Sequence, residues 1–581
     1  MLYKKYTKGF LIALLSVLVI VSPIILNSTA LLGVDGYFQY SRIYEAAMQI
    51  KNLNFSFLNL YSFQQSGRVV NQLYSPLMTY FFGVILLITG TWFKFQVVSL
   101  FLLHLIALIS MYYAAKKMKF SNEVALLLGI IFSASSAITG FIFGVTWRSW
   151  AFAFLPLLVP IALYFYEGKL TKKTIIYTSL SIAIIAQFQI LTLVLVLPFL
   201  VPFFVRGYFF SKNKLILLRN VFIAALLTIM LSLNVIVPMI EVFTNNKLVS
   251  PVSMNLAHQA SLIFQPTYLN ANSGADIVMS ILAFTGLILI FAGWSRYDTF
   301  TKMFGITALV YIVIGTGFVP WNNIASIFPG LSSFLQMPRR ITWIGTPFLI
   351  LSIPLLVTKI LGNRESMNRF LYTALAIVSV VLITQKVNSS VDFVQNPKTS
   401  IATGLGTIDK NLNSPTIKTI AAFQGKFHTG DLGALINSVD RTTPDYIPVN
   451  QKNETNQKTY DEYLKYVSKN WRNFRHTVNH RDATMTLTWV NKSNSSKNMN
   501  VPVVAYKNTE LLFNGKTVLN NRINRSVIGT IYLSSKPGVN NLVVGYTVSW
   551  FYKSALLVSL LTGVSLMIVY LYLTVNKRLF R

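Results

Sequence analysis

Asp35 is the residue of this chain whose setting best suits it to take a proton from a hydroxyl group. It stands in the run Gly33-Val34-Asp35-Gly36-Tyr37-Phe38-Gln39-Tyr40-Ser41-Arg42, a few residues beyond a long apolar stretch. A carboxylate at that depth is partly desolvated, which raises its basicity and suits it to general-base work on an acceptor hydroxyl. The plainer reading is that Asp35 caps a short helix expected from Gly36 to Met48. A second group is cationic: Arg339 and Arg340 close the segment Gln336-Met337-Pro338-Arg339-Arg340, just before another apolar stretch. Guanidinium offers a planar donor fork to phosphate oxygens, so a lipid phosphate or pyrophosphate is a natural partner. Snorkelling to lipid headgroups is the competing account.

Weaker candidates surround these. Arg148, between Trp147 and Trp150, is either a phosphate contact or part of an interfacial aromatic belt. Gln187 and Gln189 lie at a helix end, where bonding to a neighbouring loop is the simpler role. Glu241 is a candidate second acid or a solvated residue. No metal-ligand spacing is visible: His258, His428, His476 and His480 are scattered, and His104 is alone in an apolar run, where packing is the ordinary role. There is no Walker loop and no cytoplasmic segment long enough for a nucleotide-binding domain, which argues against ATP-driven transport by this chain alone.

The elements that must hold these residues are set by composition. Of 581 residues, 53% are apolar and only 12% charged, so lipid is the solvent for most of the chain. Apolar runs recur to Leu573, each near the roughly 20 residues that cross ~30 Å of hydrocarbon; membrane strands would be about 10 residues long and alternating. The first run, Phe10 to Leu26, follows Lys4, Lys5 and Lys8. Its length and the lack of a small-x-small cleavage site favour a retained anchor over a signal peptide. Cysteine is absent, which excludes disulfides and thiolate chemistry.

Counting every run as a crossing gives 13 and places Lys116, Lys117 and Lys119 outside, against the positive-inside rule. Returning the run from Pro76 to Trp92 to its own side restores the rule. That run opens on Pro76 and contains Gly83 and Gly90, so a juxtamembrane or re-entrant segment is expected. Twelve spans remain: 9–27, 95–115, 123–143, 149–166, 174–189, 190–206, 215–236, 276–294, 303–319, 341–359, 369–385 and 550–574. Both termini are then cytoplasmic. The outer face receives the loop from Asn27 to Lys94, the Trp147-Arg148 turn, the loop from Val237 to Ala275, the segment from Pro320 to Arg340, and one large domain.

That domain is expected over 386–548, between a membrane domain at 1–385 and a terminal helix with basic tail at 549–581. Its composition shifts to Asn, Ser, Thr, Lys and Tyr. Strand-like stretches at 484–490, 501–506 and 541–549 are separated by turn signals at Asn514-Gly515 and Pro537-Gly538. A β-sandwich-like or mixed α/β fold follows, large enough to bury its own core. Of the 50 Lys and Arg, 21 fall in the cytoplasmic loops or at the span ends that border them, and 20 lie between Lys386 and Lys536, where only ten Asp and Glu oppose them. The excess of about ten positive charges favours phosphate-bearing polymers or lipid headgroups; nucleic acid is not expected on that side.

Three motifs together resemble the YfhO-like membrane proteins and the 6-pyruvoyl-tetrahydropterin-synthase-related proteins of Gram-positive bacteria, a label that implies no pterin chemistry. They are Asp35 with Gln39-Tyr40, Gln336-Met337-Pro338-Arg339-Arg340, and Pro444-Asp445-Tyr446-Ile447-Pro448. The resemblance spans nearly the whole chain. It implies a GT-C glycosyltransferase fold using a polyprenyl-phosphate-linked sugar, with Asp35 as base and Arg339 or Arg340 on the phosphate. Gln39, Tyr40, Arg42, Arg148 and Gln336 are the further candidates for substrate contacts. GT-C relatives often carry a second, metal-linked acid in the next outer loop. Here that loop reads Gly144-Val145-Thr146-Trp147-Arg148, so no cofactor is assigned and a divalent metal lacks support from the sequence.

The resulting expectation is a multi-pass protein of the bacterial plasma membrane with its large domain extracellular. It would transfer a sugar to a cell-surface polymer such as a teichoic acid or polysaccharide, with a donor-producing membrane glycosyltransferase as a candidate partner. The rival is a non-enzymatic binder, carrier or envelope-assembly scaffold for lipid-linked saccharides. Such a protein needs the cationic contacts but has no need of Asp35.

Overall fold

The computed structural model describes residues 2–249, 251–264, 274–362, 365–396, 412–414, 416–449 and 456–579. Parts of two expected outer segments, 265–273 and 397–411, lie outside the described residues. Among the described residues, nine helices are long and apolar enough to cross a membrane, from Lys8–Leu26 to Trp550–Val575. Three expected spans fall below that standard. Lys172–Phe188 has 17 residues, and the apolar helices Ile277–Ala292 and Thr299–Ile314 are of similar length. At 1.5 Å per residue Lys172–Phe188 and Thr299–Ile314 reach about 25 Å, and the full helix Gly274–Ala292, of 19 residues, about 28 Å, close to the ~30 Å hydrocarbon layer.

Two of the long helices are interrupted. The span Asn122–Gly144 breaks at Ala134 and Ser135. The span Arg148–Tyr166 passes through a 3₁₀ turn at Leu155–Leu157, where Pro156 removes a backbone donor.

The run from Pro76 forms a helix of only 14 residues, Pro76–Thr89, closed by Gly90 at φ +71°. Its length, about 21 Å, is well below the ~30 Å hydrocarbon thickness. It lies against the helix Gly36–Lys51, and Gly83 makes that approach feasible: a Cβ there would sit 2.9 Å from the Ala47 backbone nitrogen. This pair holds the first loop over the end of the bundle.

Among the described residues the β-rich region has two antiparallel sheets, preceded by a two-residue ladder of Leu412–Asn413 with Asp440–Arg441. Five strands run in the order Arg475–Asn479, Thr484–Asn491, Gly538–Tyr546, Thr509–Phe513 and Lys516–Thr517. Lys497–Val504 pairs with Thr530–Ser535. Alternation dictates the packing: Met485, Leu487 and Trp489 turn inward and share one core with Val501, Ile531 and Leu542. Asn514 and Gly515 both have positive φ, as a two-residue hairpin requires. The expected strand at 541–549 lies three residues earlier, because Ser549 receives the Tyr552 N–H at the start of the terminal helix.

The same core includes Phe57, Leu58, Leu60 and Val69 of the first loop, so the loop and the β-rich region fold as one body. Glu45, fully buried, fixes the loop's path. Its carboxylate accepts from the backbone N–H of Leu60 (2.7 Å), Tyr61 (2.8 Å) and Ser62 (2.9 Å). The helix Glu365–Gln395 runs ten residues beyond the apolar limit read from the sequence. Gln395 there donates to Thr29 at 2.7 Å, which puts the end of the first span and the β-rich region on the same face.

A candidate active site between the bundle and the β-rich region

Asp35 is positioned by a close backbone contact. Its N–H donates to the Gly144 carbonyl at 3.2 Å. Two residues earlier, Gly33 packs so tightly that a Cβ would lie 1.9 Å from the Phe143 carbonyl oxygen. The helix Gly36–Lys51 follows, and Asp35 occupies its cap position without making a side-chain capping bond. The capping reading therefore does not explain the residue. Gly33→Ala is expected to force this strand of backbone away from Phe143, displacing Asp35. The measurement is thermal unfolding of the purified variant, which should lose several degrees relative to the parent, since the obstructing atom is backbone and cannot rotate away.

The Asp35 carboxylate faces a cavity of about 320 Å³ shared with Arg148, Arg340, Arg441 and Asp445. Burial pushes its carboxyl above the ordinary aspartate range. Arg148, Arg441 and Arg340 pull the other way, and Asp445 adds to the rise. Each cation is held by a different element. Arg148 begins a helix and lies 5.2 Å from the ring of Trp343. Arg340 stands in the first turn of Arg339–Leu361 and donates to the Leu335 carbonyl (2.7 Å) and the Gln336 side-chain oxygen (3.2 Å). Arg441 comes from the β-rich side and donates to the Val34 carbonyl at 2.9 Å. The positive end of the Arg339–Leu361 helix dipole adds to the field of these guanidinium groups, so the cavity favours an anion.

Two non-glycine residues with left-handed backbone line the cavity, Gln336 (φ +58°) and Tyr446 (φ +63°), and a third, Val145 (φ +53°), immediately precedes the lining residue Thr146. Such conformations cost of order 1–3 kcal/mol each and persist where surroundings over-determine them. The surroundings are visible. Gln336 donates to the Val252 carbonyl at 3.0 Å, and the Tyr446 carbonyl accepts from the Tyr506 hydroxyl at 2.9 Å. The neighbouring Thr443 and Asp445 carbonyls both accept from Arg68, a fully buried residue of the first loop.

Of the residues singled out in the sequence, Asp35, Gln39, Arg148, Gln336 and Arg340 come together here, as does Gln189. Others lie elsewhere. Arg339 turns to a neighbouring cavity of about 210 Å³ with Ser136, Met279 and Thr342, because successive helical residues point about 100° apart. Tyr40 is buried behind the site, stacked on Trp92 at 4.6 Å and bonded to Gln96. Arg42 is fully buried and bonds protein groups: the Gln39 side chain (2.8 Å), Thr79 (2.8 Å) and the Tyr74 carbonyl. It supports the wall and does not line the cavity.

Glu241 does not line the Asp35 cavity. It accepts from Ser549 (2.6 Å) and Asn508 (3.2 Å), joining the helix Lys214–Asn245 to the β-rich region. Gln187 is spent on Asn234 and the Leu231 carbonyl, and His104 on Ser133.

The second acid of the cavity is Asp445, with Tyr446, Tyr74 and Arg441 as further walls that the sequence left without a role. The Pro444–Pro448 motif was visible as a pattern, but nothing local ties it to Asp35, some 400 residues away. Among the described residues no group of three or more His, Cys, Asp or Glu could hold a metal ion. Asp35 and Asp445 are the carboxylates that could share a divalent cation with a bound phosphate.

No protein-family model matches the chain, and no curated protein matches it.

Proposed function

We propose that the protein is a membrane glycosyltransferase of GT-C type, similar to the YfhO-like proteins. It would carry twelve crossings, with the cavity and β-rich region on the outer face of a bacterial plasma membrane. The donor is a sugar on a polyprenyl phosphate, and the acceptor is a hydroxyl of a cell-surface polymer. The observation that carries this reading is one cavity in which a carboxyl with raised proton affinity meets three guanidinium groups drawn from separate parts of the fold.

The chemistry follows from these groups. Asp35 takes the acceptor proton as the hydroxyl oxygen attacks the anomeric carbon. The bond from that carbon to the phosphate oxygen breaks, and its electrons leave with the lipid phosphate, whose growing charge Arg148 and Arg340 stabilise. Charge counting favours a single phosphate. Three guanidinium groups against two carboxylates leave one positive charge, which a phosphodiester neutralises. After transfer Asp35 is protonated and the departing phosphate carries two charges, so the cavity is neutral again. A diphosphate donor would leave it net negative.

The test is to incubate the purified protein in lipid nanodiscs with a polyprenyl-phosphate hexose and follow release or transfer of the sugar. Turnover is expected. Tight binding of the lipid without turnover would overturn the enzyme and leave a carrier or scaffold.

A further inference from the structure

Behind the cavity wall lies a second, open pocket of about 430 Å³ whose described lining is strongly basic. Lys247, Lys507 and Arg525 contribute cations, Asn245, Asn246 and Asn521 contribute amides, and no carboxylate lines it among the described residues. The pocket is built from two parts of the chain. Asn245–Lys247 end the helix Lys214–Asn245, while Lys507, Asn521 and Arg525 belong to the β-rich region. The junction is ordered by hydrogen bonds: the Lys507 N–H donates to the Asn246 side chain (2.8 Å) and its ammonium to Asn245 (2.9 Å).

A short antiparallel ladder separates this pocket from the candidate active site. Val249 N–H donates to the Ile447 carbonyl (2.9 Å), Val449 N–H to the Lys247 carbonyl (2.8 Å), and Leu248 faces Pro448. Lys247 and Val449 line the basic pocket, whereas Val249 and Tyr446 line the cavity with Asp35. Two or three residues of extended chain therefore divide the two spaces, roughly 7–10 Å at 3.3 Å per residue.

We infer that this pocket binds an anionic, hydroxyl-rich chain: a polyol or saccharide polymer linked through phosphodiesters, with another of its units reaching the Asp35 cavity. The three cations match phosphodiester charges, and Asn521 and the Asn245 amide N–H match hydroxyl groups, whereas Asn246 is engaged by the Lys507 N–H and the Val242 carbonyl. A flat headgroup layer needs cations but gains little from carboxamides set beside them. The direction in which the bound chain leads rests on the transferase reading; the binding itself does not.

The experiment uses the full-length protein in nanodiscs and poly(glycerol phosphate) as probe, with neutral dextran as comparison. Poly(glycerol phosphate) is expected to bind, to weaken as salt rises, and to bind at least tenfold more weakly to the triple variant Lys247→Gln, Lys507→Gln, Arg525→Gln. The charge-retaining variant Lys247→Arg, Lys507→Arg, Arg525→Lys should keep the affinity. Polyprenyl-phosphate binding at the other cavity should be unchanged in both. The inference is overturned if the wild type does not bind the polymer, if dextran binds equally well, or if the glutamine variant binds like the parent. Because no readout requires turnover, failure of sugar transfer leaves this test intact.

Discussion

Asp35→Asn is expected to reduce sugar transfer by about 10²- to 10⁴-fold, the range associated with loss of a general base, while leaving the protein at least as stable as the parent. The two readouts together separate catalysis from architecture. Asparagine caps helices as well as aspartate does, so a residue that only capped Gly36–Lys51 would show no change in either. The stability half follows from the sign of the proton affinity. Burial holds the carboxyl above its ordinary range in the fold, so folding favours the protonated form. Its contribution is fully present below the unfolded-state value of about 4 and is lost as pH rises through the raised folded value. Above that point the parent bears a desolvated charge that asparagine lacks. The melting temperature of Asp35→Asn relative to the parent should therefore climb with pH across this window and then level off. The rate of the parent should itself rise with pH through the same window, since the base must be ionised to act. A variant with parental transfer, or one that melts lower at neutral pH, would refute the assignment.

The second large effect separates two adjacent arginines. Arg340→Gln should weaken binding of polyprenyl phosphate by about 10- to 150-fold, the equivalent of a charge-assisted hydrogen bond at 1.5–3 kcal/mol, whereas Arg339→Gln should change it little. Arg340 opens into the cavity with Asp35, while Arg339 lies beside Thr342 and Trp343 in the next one. Equal losses from the two substitutions would mean that the phosphate lies between the cavities. No loss from either would favour contact with ordinary headgroups. Arg340 also ties Leu335 and Gln336, so the comparison is made at matched melting temperature.

This pair shows what can be read from a sequence and where reading stops. The arginines stand out because cations before an outer-face span break the charge rule. Their divergence follows from helical geometry, but only once the start of Arg339–Leu361 is fixed by Pro338 at its cap. Asp35 was legible as an acid just past a long apolar helix, and the shortness of Pro76–Thr89 was legible from Pro76 and Gly90 at its two ends. Arg42 was misleading, because a cation three residues from Gln39 looks like a ligand group until its donors are found spent on Tyr74 and Thr79. Asp445 and Arg441 were out of reach for a different reason: their placement depends on how the β-rich region docks, through Arg68 and the first-loop core. No local periodicity encodes that contact.

The Arg68 clamp also dictates when the site can exist. Its carbonyl partner at Thr443 lies 375 residues further along the chain. At the usual pace of about 5–20 residues per second, roughly 20 to 75 s of translation separate the two. During that interval most of the hydrophobic helices have emerged and can insert, while the Arg68 head group must stay hydrated and the wall bearing Asp445 has yet to be made. A nascent chain halted before that point holds Asp35 in an unfinished pocket, so the cavity closes only after the segment from Thr443 to Tyr446 has been made and docked.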